Sequence, residues 1–169
     1  MQANPDKFQF LAVSSNPESS YQLTLNNNTT LTSEPYVKAL GVIIDSRLTF
    51  SEHIAALCKR AARQLNALSR ISRFLDIPSR RIIYQSFVAS NFNYCPLVWH
   101  FCGKVNNNKL ERIQERSLKI IYRDFESSYN ELLDKANTTT LLVARLRLLL
   151  CEIFKSLKGL NPKYIDSGM

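Results

Sequence analysis

Alternating apolar and polar positions open the chain, and helical periodicity takes over after residue 50. KFQFLAV over 7–13 and YQLTL over 21–25 read as short strands, and YVKALGVIID over 36–45 reads as a third. Asn26, Asn27 and Asn28 supply a turn, since Asn tolerates the left-handed backbone that tight hairpins need. Gly41 marks a bulge, a bend or the close approach of another backbone. From Ser51, a good N-cap, residues set about 100° apart place Ile54, Leu57, Ala61, Leu65, Leu68 and Leu75 on one side of a helix. Lys59, Arg63, Arg70 and Arg73 fall on the opposite side.

Asp76, Ile77 and Pro78 end that helix, and SRRIIYQSFVASNFNY forms a second, apolar on most sides and therefore central. Pro96 breaks the pattern, a short aromatic segment runs to Cys102, and GKVNNN reads as a loop. Asn108 with Glu111 has the spacing of a capping box opening KLERIQERSLKIIYRD. There Leu110, Ile113, Ser117, Ile120 and Ile121 face one way, and Arg112, Arg116, Lys119 and Arg123 the other. Ser128 and Glu131 give a second box, and a last helix runs from about Leu141 to Lys158, stopped by Gly159 with Pro162 beyond. The expected fold class is mainly α, a helical bundle over 51–169 preceded by a small β-hairpin region over 1–50.

Charge sharpens this picture. The 169 residues carry a formal net charge of +8, but residues 1–50 hold three bases and four acids, 51–125 thirteen and five, and 126–169 six and five. The excess sits in the central helices, which favours a polyanionic partner. Cys58, Cys95, Cys102 and Cys151 include no C-x-x-C pair and do not space like a secreted disulfide framework. Together with an N-terminus lacking a basic leader and a long apolar run, this predicts an intracellular protein, nuclear or cytoplasmic, with no membrane partner.

The aromatic stretch NYCPLVWHF, 93–101, offers Cys95 with His100, or with His53, as a nucleophile and base, or Cys95, His100 and Cys102 as zinc ligands. A cysteine preceding proline among bulky apolar residues is the pattern of a buried, inert thiol, and the metal reading lacks a fourth ligand. Four glycines form no phosphate-cradling loop, and the six aspartates, at 6, 45, 76, 124, 134 and 166, include no adjacent pair for two metal ions. No cofactor is expected. Two helices each bearing four bases on one stripe match a surface laid along phosphate backbones, and such binding falls steeply with salt. The competing expectation is a helical protein-interaction module whose exposed β edge also allows self-association.

The stretches NPDKFQF (4–10), YVKALGVIIDSRLTFSEHI (36–54), NFNYCPLVWHF (91–101) and LERIQERSLKIIYRD (110–124) resemble the carboxyl-terminal end of the reverse transcriptase of LINE-like, non-LTR retrotransposons of the jockey and CR1 type. That resemblance implies a palm edge around Asn4 and Lys7. It implies a primer-grip hairpin at Leu40, Gly41 and Val42, and a thumb from Ser51 onward. The basic stripes, Lys59, Arg63, Arg70, Arg73 and Arg112, Arg116, Lys119, Arg123, become candidate contacts to RNA–DNA or duplex nucleic acid. The family's F/Y-x-D-D, its earlier palm aspartate and its fingers have no counterpart here. The resemblance therefore implies a truncated fragment, not an enzyme by itself, with magnesium and polymerase chemistry belonging to the parent protein.

Overall fold

In the computed structural model, residues 8–13, 20–25 and 29–160 are described; the Asn26–Asn28 turn, Asn4, Lys7 and Pro162 lie outside them. The chain divides into two compact units, Met1–Ala56 and Leu57–Met169. It is mainly α, with two small antiparallel hairpins near the N-terminus.

In the first unit β1 (Gln22–Thr24) pairs with β2 (Thr30–Thr32), and β3 (Tyr36–Ala39) pairs with β4 (Val42–Asp45). YVKALGVIID is thus two strands where the alternation suggested one. Leu40 and Gly41 both have positive φ, 47° and 87°, which folds the run back on itself in a two-residue turn. Phe8–Val13 forms no strand, although the Phe10 carbonyl accepts the Glu34 N–H at 2.8 Å. The segment after β4 is tied by one carboxylate. Asp45 accepts the N–H groups of Arg47 (3.2 Å), Thr49 (3.0 Å) and Phe50 (2.6 Å), holding a turn in which Leu48 and Phe50 both take positive φ.

Helix α1 (Ser51–Ile71) follows, with Ser51 already inside it, and it continues into a 3-10 turn, Ser72–Phe74. Ile54, Leu57, Ala61, Leu65 and Leu68 are buried and Leu75 half-buried, the expected apolar stripe. In the second unit, α2 (Ile77–Ile83) opens on Asp76, whose side chain accepts the Ser79 N–H. It runs through a π turn, Tyr84–Ala89, into α3 (Ser90–Asn93).

α4 spans Gly103–Tyr122, so GKVNNN is helical and Asn108 sits within the helix, not at a cap. The asparagines there have partners that leave the helix intact. Asn106 is buried and donates to the Cys102 carbonyl at 2.9 Å, and Asn107 accepts from Arg145. Glu111 likewise reaches away, accepting the N–H groups of Leu141 (3.2 Å) and Leu142 (2.9 Å) and the Tyr129 hydroxyl (2.6 Å). It places a negative charge at the N-terminus of α6 (Leu141–Leu157), where the helix dipole favours one. The Ser128–Glu131 capping box forms as expected, opening α5 (Tyr129–Ala136).

The core of this unit gathers on α4. Leu118 and Ile121 pack with Leu132, Leu133 and Ala136 of α5, and Ile120 packs with Leu65 and Leu68 of α1. The aromatic stretch 93–101 forms a corner around Trp99, which is fully buried. Its indole donates to the Tyr94 carbonyl at 3.1 Å, and the Arg145 guanidinium lies 4.8 Å above its ring.

Arg80 is buried on α2 and donates to the carbonyls of Leu75, Ile120 and Ile121, the last two in the final turn of α4. Arg80→Met is expected to leave these carbonyls without a donor and to cost about 2–4 kcal/mol in denaturant unfolding. Lys135, at 3.0 Å, and the Ser127 hydroxyl and N–H hold the Asp124 carboxyl down at about 2. The unfolded carboxyl titrates near pH ~4. The stabilisation is therefore full above that value and disappears as pH falls to about 2. Thermal melting across this range should show Asp124→Asn lowering stability at neutral pH and matching the parent at the acid end.

Candidate nucleic-acid interface

The bases predicted on α1 are all at the surface. Lys59, Arg63 and Arg70 are exposed on the side away from the apolar stripe, and Arg73 extends the row through the 3-10 turn, its guanidinium 4.6 Å over the Phe74 ring. Among the described residues none of the four forms an ion pair. Each keeps its donors for a partner from solution.

The stripe on α4 is more engaged. Arg112, Arg116 and Arg123 are exposed; Lys119 is half-buried and pairs with Glu115 at 2.8 Å, one helical turn earlier. Arg123 stands at the left-handed C-cap of α4, with φ 53°. Arg116 donates to the Asn66 side-chain oxygen on α1 at 2.6 Å. Asn66, at about 100° per residue, lies on the same face of α1 as Lys59, Arg63 and Arg70. The two basic rows therefore adjoin at this bond. Sequence periodicity places each row on its own helix but carries nothing about their distance, and Asn66, an uncharged position inside a basic stripe, gave no signal.

Leu40, Gly41 and Val42 occupy the turn and first residue of the β3–β4 hairpin. Val42 is 4% exposed and Leu40 90%. A leucine in the left-handed region is strained, and here it also presents its whole side chain to solvent. The hairpin is anchored beside the tip, where the Ile43 N–H donates to His53 Nδ1 at 3.3 Å.

The candidates for nucleophilic or metal chemistry do not assemble. Cys95 is half-buried at a residue of φ 45°, and burial pushes the Cys102 thiol up and the buried His100 imidazole down. Among the described residues, no three His, Cys, Asp or Glu side chains come together as metal ligands. Asp45, Asp76 and Asp124 each hold a turn, a cap or a lysine, and Asp6 and Asp166 lie outside the described residues. These residues do not fit a two-metal centre. Among the described residues no helix is long and apolar enough to cross a membrane.

Comparison with known proteins finds two relatives in Drosophila melanogaster. The chain is 30% identical over 87 residues to a probable RNA-directed DNA polymerase from transposon BS, and 30% identical over 88 residues to one from transposon X-element. Each alignment covers 50% of this chain and 10% of the relative. No protein-family model matches the sequence, and no solved structure matches it.

The strain at Leu40 makes a prediction. Leu40→Asn, which accepts left-handed backbone, should raise stability by about 1 kcal/mol, read as a higher midpoint in chemical denaturation. Half of this chain is thus similar to a region spanning about one tenth of two transposon RNA-directed DNA polymerases.

Proposed function

We propose that this chain is a thumb-like fragment of a non-LTR retrotransposon reverse transcriptase, of the jockey or CR1 type, that binds RNA–DNA or duplex nucleic acid along the adjoining basic rows of α1 and α4. The observation that carries this reading is the Arg116–Asn66 bond, which links the basic row of α4 to the face of α1 that bears Arg63 and Arg70. Opposed helices with separate charge stripes would be ordinary solvated faces. Rows that adjoin give a wider band of cations, suited to a polyanion whose charges recur along two strands. The similarity to transposon polymerases supports the choice of nucleic acid over other polyanions.

Leu40, Gly41 and Val42 take the primer-grip role in this reading, with an exposed strained tip on an anchored hairpin. The chain acts as a binding element. Polymerisation and the magnesium ions it uses belong to the parent polymerase; among the described residues Asp45, Asp76 and Asp124 are engaged in a turn, a cap and an ion pair, and no three His, Cys, Asp or Glu side chains come together. The protein acts inside the cell, in the nucleus or cytoplasm.

A second reading, a helical module that docks on protein, is favoured by one feature. Leu146, Leu150, Phe154 and Leu157 on α6 are exposed at 45%, 58%, 56% and 81%, spaced so as to share a face. The exposed strands β1 and β3 would offer an edge for self-association in either reading.

Equilibrium binding to an RNA–DNA hybrid separates the two. Arg63→Glu with Arg70→Glu should weaken binding by about tenfold or more, and Arg112→Glu should also weaken it, whereas Lys155→Glu on α6 should not. Loss of affinity equal for Lys155→Glu and Arg63→Glu, or no binding by the parent chain, would sink the proposal and leave the docking module.

A further inference from the structure

Between the π turn, α4 and the start of α6 lies a cavity of about 210 Å³. Its apolar lining includes Leu118, Ile121, Leu141 and Ala144. The π turn shapes one wall. In an α-helix residues five apart point about 140° away from each other, whereas the i→i+5 bonding of a π turn returns them to one side. Tyr84 and Ala89, five apart, both line the cavity, with Gln85 between them. Such turns recur at functional sites.

Gln114 and Tyr122 on this lining are already hydrogen-bonded, but several of its other polar groups are unused. Among the described residues the Tyr84 hydroxyl, the Gln85 amide and the Thr138 and Thr139 hydroxyls make no hydrogen bond. Exposed Arg81 makes one long bond, to the Ala136 carbonyl at 3.4 Å, and keeps its remaining N–H groups. Burial and the nearby Glu111 charge push the Tyr84 phenol up to about 12, so it remains a neutral donor at physiological pH.

We propose that this cavity takes a single unpaired nucleobase, with Arg81 meeting the phosphate attached to it. Apolar walls suit the faces of a planar ring; hydroxyls and an amide that both donate and accept suit its edge; a free guanidinium suits the phosphate. The volume is of the order that one nucleobase needs. The choice of ligand rests on the nucleic-acid reading above; the cavity and its unpartnered groups do not.

The full chain is titrated with uridine and adenosine monophosphates, with the matching nucleosides and with inorganic phosphate, followed by tyrosine fluorescence and by amide chemical shifts. Saturable binding is expected for the mononucleotides, about tenfold tighter than for nucleosides, since the difference is one charge-assisted contact. Arg81→Gln should bring the mononucleotide to the nucleoside level. Ala144→Phe, which fills the cavity, should abolish both while leaving binding to the RNA–DNA hybrid intact. Absence of saturation with every probe, inorganic phosphate binding as tightly as the mononucleotides, or affinity unchanged in Arg81→Gln overturns the proposal. Arg81 is exposed, so that variant tests it even if Ala144→Phe does not fold. Mononucleotide binding by a chain that ignores the hybrid would instead overturn the basic-surface reading alone.

Discussion

The last carbonyls of α4 have no backbone donors to meet, and the buried guanidinium of Arg80 meets two of them while also holding the Leu75 carbonyl. Much of the second unit depends on this. A helix end buried without partners costs several kcal/mol, so α2 and the end of α4 are fixed together at the one place where that arginine can reach both. Glu111, nearer the start of α4, does the reverse job with the opposite charge, capping α6 through two N–H groups. α4 is thereby held from two sides by ionised side chains reaching into the ends of neighbouring helices. Its apolar face closes on α1 and α5, and its basic face is left outward.

That placement is what brings the two basic rows together. With Ile120 packed against Leu65 and Leu68, the exposed sides of α1 and α4 share a border, and Arg116 crosses it to Asn66. The bond is exposed and contributes little stability by itself. Its value is geometric, because it marks where the basic row of α4 reaches the basic face of α1. The same packing leaves the gap beside the π turn, where the helix widens just as α4 and the start of α6 converge.

Patterns local to one helix were legible in the sequence: the stripe from Ile54 to Leu68, the outward bases, the Ser128–Glu131 box and the stop at Gly159. Patterns that need a partner far along the chain were not. Nothing in its local pattern singles out Arg80, whose carbonyl acceptors on α4 lie forty residues away. Asn106 and Asn107 read as loop residues because asparagine usually competes with helical backbone; here Asn107 is taken up by Arg145, thirty-eight residues away, and Asn106 bonds back to the Cys102 carbonyl at the start of the helix. YVKALGVIID reads as one strand because a leucine at φ 47° is a strained choice for the first position of a tight turn. Asn66 and the π turn left no trace in periodicity.

The central claim, that both rows meet one nucleic acid, is tested most directly by the salt dependence of hybrid binding. The logarithm of affinity falls with the logarithm of salt concentration by about 0.9 for each phosphate neutralised on a duplex, so a single four-residue row can give a slope no steeper than roughly −3.6. The joined surface predicts a slope clearly steeper than that. A slope of −3.6 or shallower contradicts it, and would mean that one row alone, or neither, lies on the phosphates.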